Sequence, residues 1–380
     1  MTKVCIVQRR LTHYRVPFFE ALRVQLAAHD IQLELLVGRG TPEEERKDDR
    51  GVLPWAVSLP THYLAGGRLC WQPFKTHLAN ASVVIITQEN KLIQNHLLMI
   101  TPRDFKLAFW GHGANLQSAN PLGMRERFKR WTTNQVDWWF GYTAMSSPLI
   151  ERAKFPRERI TILNNSIDTT EMASMRQNVT PVALQQLKTE LGLQGDQVGV
   201  FVGSLYGDKR IDFMLEAVGA IRARIPNFEF LIVGAGPQQA LVESFCQQNK
   251  WAKYLGVRKG QAKVDAMALA KIMINPGAVG LSVLDSFVCG VPLTTTDCSI
   301  HGPEIAYVNN GVNGLITGNT VEQYAAGTVA LLLDRTTLNN LKAACAACVK
   351  TYTIENMARN FADGVLGCLA APVYRRGRGS

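Results

Sequence analysis

The feature that most constrains this chain is a repeated alternation. Short, mainly apolar runs of strand length recur, each closed by a turn and followed by a helix-compatible stretch. They are Val4–Val7, Gln32–Val37, Val83–Thr87 and Lys106–Trp110 in the first half, then Val198–Val202, Phe228–Val233, Lys271–Ile274 and Val291–Thr295 in the second. A strand that is apolar on both faces must be covered on both, as in a parallel sheet flanked by helices. Helices are predicted from near Pro17, over Ile211–Arg224, Pro237–Gln248 and Leu281–Val288, and at 320–333, 336–349 and 353–368. The pattern predicts an α/β protein with doubly wound parallel sheets. At roughly 150 residues per domain, a chain of 380 residues holds two. The expected division is 1–175, 176–350, and a terminal segment 351–380 whose helix crosses back to the first domain ahead of a basic tail. The polar stretch 172–197 reads as a linker and the charge run 41–50 as a solvated loop.

Composition narrows the function classes. Hydrophobic residues at 47% and charged residues at 19% supply two cores and exclude wholesale disorder. The net charge of +10 favours anionic partners. Eight cysteines show no paired metal-ligand spacing, and Cys345 and Cys348 read as small helix-packing residues. No apolar run is long enough to span a bilayer, and the first strand begins almost at Met1, so a cytoplasmic protein without a signal peptide is expected. Residues 124–139 set Arg125, Arg127, Lys129 and Arg130 beside Phe128 and Trp131. That mixture suits an anionic membrane surface, RNA, or an ordinary surface helix with its rings turned inward.

Four motifs follow strands, where open α/β sheets bind ligands. After Val202 comes Gly203-Ser204-Leu205-Tyr206-Gly207-Asp208-Lys209-Arg210: glycine lets a backbone approach closely, and Lys209 and Arg210 can hold a diphosphate. As a lone feature it would read as a surface turn. Gly234-Ala235-Gly236-Pro237 is not a dinucleotide fingerprint, because Gln239 stands at the sixth position. It reads as a tight turn, with Pro237 opening a helix. Gly277-Ala278-Val279-Gly280-Leu281-Ser282 runs into a helix whose first N–H groups suit a phosphate, with Asp285 one turn in. Buried there, Asp285 needs a partner: ribose hydroxyls, a cap, or an internal salt bridge. Gly111-His112-Gly113 ends a first-half strand, where His112 either reaches a ligand or simply binds backbone.

In this order and spacing, residues 198–316 resemble the nucleotide-binding half of family 4 glycosyltransferases. GSLYGDKR, LIVGAGP, YLG (254–256), GLSVLDSF, PEI (303–305) and NGVNGLI (310–316) carry the resemblance. Asn164–Asp168, THYRVPFFEAL and WGHG extend it more loosely into the first half. The resemblance implies the GT-B fold, two Rossmann-like domains facing a cleft. It implies retaining transfer from a nucleotide-sugar donor to a glycan or lipid-linked acceptor in surface-polysaccharide synthesis, with no metal and no cofactor. Lys209 and Arg210 would stabilise the leaving diphosphate and His112 would contact the sugar. Gly203, Ser204, Gly234, Leu255, Val257, Gly277, Val279, Gly280, Leu281, Ser282 and Asp285 would line the donor site. Arg15, Gly111 and Gly113 would lie on the acceptor side. The resemblance favours a lipid-linked acceptor, and a peripheral place on the inner membrane face, over nucleic acid. Two departures stand out. Gly277 replaces the first glutamate of the family's E-x7-E motif and Asp285 the second; Ser204 replaces an arginine, whose charge Arg210 would supply. A different donor sugar is the favoured reading of these changes. A nucleotide-sugar epimerase or hydrolase, or a silent nucleotide-sugar-binding protein, are the alternatives.

Overall fold

A computed structural model describes residues 1–46, 49–113 and 131–374. The chain divides into two compact units: Met1–Asp168 with Thr353–Ser380, and Thr169–Tyr352.

The first unit is built on β1 (Thr2–Gln8), β2 (Ile31–Val37), β3 (Val57–Ser58), a small antiparallel pair β4 (His62–Leu64) and β5 (Leu69–Trp71), then β6 (Ala81–Thr87), β7 (Lys106–Gly111), β8 (Trp138–Gly141) and β9 (Ile160–Ile162). Seven of these form a parallel sheet in the order β3-β2-β1-β6-β7-β8-β9. Side chains alternate between its faces. Val4, Ile6, Ala108 and Trp110 enter one core cluster, while Cys5, Val7, Leu107 and Phe109 enter the other. The last helix of the chain, Ile354–Ala370, completes the first of these cores. Its Phe361 ring stacks on Phe140 at 4.3 Å and meets Trp110 at 5.2 Å. Lys106 draws in the helix's C-terminal end, donating to the carbonyls of Cys368 at 2.9 Å and Leu369 at 2.7 Å, where the helix dipole favours a cation.

The second unit is built on β10 (Gln197–Val202), β11 (Phe228–Val233), β12 (Ala252–Gly256), β13 (Ile272–Ile274), β14 (Leu293–Thr296) and β15 (Gly314–Thr317). The sheet is parallel throughout and ordered β12-β11-β10-β13-β14-β15. The order reverses between β10 and β13, and ligands of such sheets bind at the strand ends beside that reversal. Gly203 follows β10 and Asn275 follows β13, so two of the four motifs meet there.

Three local expectations change. The stretch 172–197 is not an open linker: it holds the end of the helix Thr170–Gln177 and the whole of the helix Pro181–Glu190, neither with a buried residue. Their polarity hid them. Thr180, which accepts from the Ala183 N–H at 3.1 Å, followed by Pro181 at the first helical position, was the available start signal. In the charge run, Glu44 and Asp49 are pinned rather than solvated. Arg9 pairs with Glu44 at 2.6 Å and Arg10 with Asp49 at 2.8 Å, and these partners hold both carboxyls below the ordinary range, Glu44 to about 2. Pro237 lies in the turn before a helix that begins at Gln239. All eight cysteines are free. Among the described residues no helix is long and apolar enough to cross a membrane. Arg125, Arg127, Phe128, Lys129, Arg130 and the basic tail from Arg375 lie outside the described residues.

Candidate functional site

Three post-strand loops of the second unit are joined backbone to backbone. The Gly203 N–H donates to Val233 O at 3.0 Å, the Leu205 N–H to Ala235 O at 2.9 Å, and the Gln238 N–H to Leu205 O at 3.0 Å. Gly234 makes this approach possible: at φ +140° a Cβ on it would stand 1.8 Å from Gly203 O, so no other residue fits. The loop after β10 also meets the loop after β13. The Ala278 N–H donates to Asp208 O at 2.9 Å, and the Lys209 ammonium donates to Ala278 O. Gly277 lies under this contact, where a Cβ would stand 2.5 Å from Asp208 O and 2.5 Å from the Lys209 carbonyl carbon. Gly277 is thus demanded by backbone packing.

Arg210 adopts the left-handed conformation, φ 54°. Its guanidinium lies 4.0 Å from the Phe213 ring centroid and donates to Pro276 O and Thr296 Oγ1, each at 3.3 Å, and to Asn319 Oδ1. It therefore ties the Pro276 turn to β14. Burial lowers the Lys209 ammonium below the usual lysine range, against the opposing charges of Asp208 and Glu304.

The loop ends at the helix Ser282–Cys289, which has Leu281 as its N-cap and no side-chain cap. Among the described residues, the N–H groups of Gly280 and Leu281 have no protein acceptor. With Lys209 beside Ala278, this is an anion-binding arrangement: unpaired amides at a positive helix end and a cation within reach.

Asp285 has a partner within the protein. Its carboxylate is buried and pairs with Lys263 at 2.8 Å. Burial pushes its carboxyl up, and Lys263 partly opposes this. Leu255 and Val257 sit on the edge strand β12 and just after it. They neighbour the site through the Gly234 N–H, which donates to Gly256 O at 2.8 Å, and the Tyr254 hydroxyl, which donates to Gly234 O at 2.9 Å. Leu255 lines grooves of 590 and 380 Å³ together with Glu190 and Leu191, and Val257 is 59% exposed. Ser204 is exposed on the first loop.

The first unit has its own cluster at the ends of β1 and β7. The Arg15 guanidinium lies 5.3 Å from the Tyr14 ring, 5.4 Å from Trp110 and 5.8 Å from Tyr142. His112 is exposed and meets the Tyr142 ring edge-on at 4.5 Å. The protein around it, then the Arg15 cation, disfavour its charged form. Gly111 pairs with Gly141 in the sheet, and the Gly113 N–H donates to Gln88 Oε1 at 3.2 Å.

Sequence reading missed His301, Thr296 and Asn319, which hold the loops from behind. His301 stands directly before the Gly-Pro-Glu segment, a signal adjacent to a motif already noted. Among the described residues no group of three His, Cys, Asp or Glu side chains is placed to hold a metal.

Known proteins resemble this chain in sequence and in fold. Residues 196–334 match the family model for Glycosyl transferases group 1. Alpha-monoglucosyldiacylglycerol synthase from Acholeplasma laidlawii is 23% identical over 192 residues, 49% of this chain and 47% of that protein. The match thus spans about half of that relative's length. Among solved structures, HepE of Anabaena, in complex with UDP and glucose, superposes with a TM-score of 0.64 at 14% identity, covering 96% of this chain and 100% of that one. WaaG, a glycosyltransferase involved in lipopolysaccharide biosynthesis, gives a TM-score of 0.63 at 14% identity over 95% and 98%. The paired Rossmann-like units are those of the GT-B fold.

Proposed function

From a chain whose residues 196–334 form a Glycosyl transferases group 1 domain, we propose a retaining, family 4 glycosyltransferase. It moves a sugar from a nucleoside-diphosphate donor to a glycan or lipid-linked acceptor. The single observation that carries this reading is the convergence of Lys209 with the unpaired amides of Gly280 and Leu281 at the start of an apolar helix.

Departure of a nucleoside diphosphate concentrates charge on phosphate oxygens. Preorganised N–H groups and a cation aimed at that charge supply the largest stabilising term. Lys209 exchanges the Ala278 carbonyl for a phosphate oxygen, and the amides of Gly280 and Leu281 take another. Arg210 acts mainly by holding the Pro276 turn. These groups carry the diphosphate charge without a metal ion. The Asp285–Lys263 pair leaves the ribose to main-chain groups near Gly234 and Leu255. Arg15, Gly111 and Gly113 form the acceptor side, and His112 contacts the transferred sugar. The relative named as a synthase of a monoglucosylated diacylglycerol and the structural neighbour of lipopolysaccharide synthesis support an acceptor at a membrane surface, in cell-surface glycan assembly on the cytoplasmic face.

One observation favours a second reading. Gly277 is fixed by packing where the family carries a glutamate, which suits a protein that binds nucleotide sugars without transferring them. Incubation with UDP-[14C]glucose and a total membrane lipid extract separates the readings. Label entering the lipid or glycan fraction, with UDP released only when acceptor is present, supports transfer. UDP released without acceptor supports a hydrolase, and binding without turnover a silent protein.

A further inference from the structure

His301 lies between β14 and the 3-10 turn Pro303–Tyr307. Its Nδ1 accepts the Val279 N–H at 3.1 Å, and its Nε2 lies 2.8 Å from the Thr296 carbonyl oxygen. The two partners fix the ring's state. An amide N–H can only donate and a carbonyl only accept, so Nδ1 keeps its lone pair and Nε2 carries the proton. The neutral Nε2–H tautomer is the one form that makes both bonds. The next residue holds the same strand of loop from its other side: the Gly302 N–H donates to Val279 O at 2.8 Å. Val279 is therefore held at both its N–H and its carbonyl oxygen, one in each of its flanking peptide groups. It immediately precedes Gly280 and Leu281, whose amides are the unpaired donors at the helix start.

We propose that neutral His301 is a positioning residue for the diphosphate-binding loop, so that donor affinity is lost when its imidazole is protonated. The inference rests on the reading of residues 277–282 as the donor-phosphate site. An imidazolium has no lone pair for the Val279 N–H and sets two N–H dipoles head to head. The loop must then move, and the Gly280 and Leu281 amides lose their aim.

The charged and titratable groups around the ring come from three elements. Lys209 and Arg210 face it from the turn after β10, Asp297 and Cys298 from the end of β14, and Glu304 follows in the 3-10 turn, beside Lys209. Cys298 Sγ is 3.4 Å from Nε2. Burial lowers the ring's affinity for a second proton; the Thr296 carbonyl opposes this, Lys209 and Arg210 add to it, and Asp297 opposes. The ring is held neutral near pH 7 and charges only as the solution becomes acidic.

The test is calorimetric titration of the full chain with UDP-glucose between pH 5 and 8. UDP-glucose has no terminal phosphate to titrate in that window, whereas a phosphate monoester ionises near pH 6. The wild type should lose about tenfold in affinity toward pH 5, the worth of one hydrogen-bonded aim at a charged group. His301→Asn keeps an acceptor where Nδ1 stands and does not titrate. It should bind within about threefold of wild type at pH 7.5 and show no acid loss. His301→Ala should bind about tenfold more weakly throughout. Should His301→Ala fail to fold, the asparagine variant and the ring 15N shifts of His301, which must show a bare Nδ1 at pH 7.5, decide alone. A flat wild-type profile, acid loss retained in His301→Asn, or a protonated Nδ1 overturns the inference. Lys209→Ala distinguishes the two failures. If wild type binds and Lys209→Ala does not, a flat profile sinks the role of His301 only. If neither binds, the donor site and this inference fall together.

Discussion

Gly277→Ala adds one methyl group, and the structure says where it goes. The new Cβ would stand 2.5 Å from Asp208 O and from the Lys209 carbonyl carbon. Real Cβ contacts essentially never fall below 3.0 Å, so the two loops must part by at least about 0.5 Å, and both obstacles are backbone rather than yielding side chains. The Ala278 N–H to Asp208 O bond, now 2.9 Å, would stretch to about 3.4 Å, past the ordinary range. Losing it costs about 1 kcal/mol, and the overpacking strain adds about 1–3 kcal/mol. That strain has two outlets. If the loops part, Lys209 and the Gly280 amide lose registry, and 2 kcal/mol of lost binding is about thirtyfold in affinity. If they stay together, the second unit melts about 2–4 °C lower for each kcal/mol retained. Titration with UDP and a thermal melt, run on the same preparation, read both outlets. The same clash makes Gly277→Glu a loss, although it would restore the glutamate expected by resemblance. Wild-type affinity and wild-type melting together in Gly277→Ala would refute the packing argument.

Three further outcomes follow from the same geometry. Lys209→Ala should weaken UDP binding at least tenfold, since a hydrogen bond to a charged group is worth about 1.5–3 kcal/mol. Wild-type affinity should also fall on the alkaline side earlier than an ordinary lysine would titrate, because burial lowers this ammonium; titration calorimetry from pH 7 to 10 checks both. Lys263→Met leaves the Asp285 carboxylate buried without its partner and should cost about 3 kcal/mol at pH 7, the low end for a broken buried pair. Burial raises the folded carboxyl above its unfolded value, so the folded state binds the proton more tightly and the deficit should shrink as pH falls; urea melts at pH 7 and pH 5 measure it. Phe361→Ala empties a fully buried site against Phe140 and Trp110 and should destabilise the first unit by about 3–5 kcal/mol. UDP affinity should stay unchanged, because the donor loops belong to the second unit.

How much of this was legible in the sequence follows from what each signal depends on. The apolar runs at Val198–Val202 and Phe228–Val233 marked strands because a strand covered on both faces cannot be polar on either, and the structure ends both strands at the predicted residues. The helices Thr170–Gln177 and Pro181–Glu190 bury nothing, so no periodicity revealed them. The glycines after the strands pointed to close backbone approach, but only coordinates show which backbone approaches which: Gly234 meets Gly203, and Gly277 meets Asp208 and Lys209. Asp285 was legible as a buried carboxylate in need of a partner. That the partner is Lys263, 22 residues earlier, depends on how two helices pack. His301 was placed near a motif by its sequence position, but its role was hidden for a like reason. A histidine's value as an acceptor depends on the amide facing it, and Val279 reaches it only through the tertiary fold.

The most direct measurement of the central claim is a crystal structure of the chain with bound UDP. Phosphate oxygens should lie within hydrogen-bond distance of the Gly280 and Leu281 amides and of the Lys209 ammonium, now turned from the Ala278 carbonyl, with His301 still bound to Val279. UDP seated elsewhere, or Lys209 still bonded to Ala278 beneath a bound diphosphate, would contradict it.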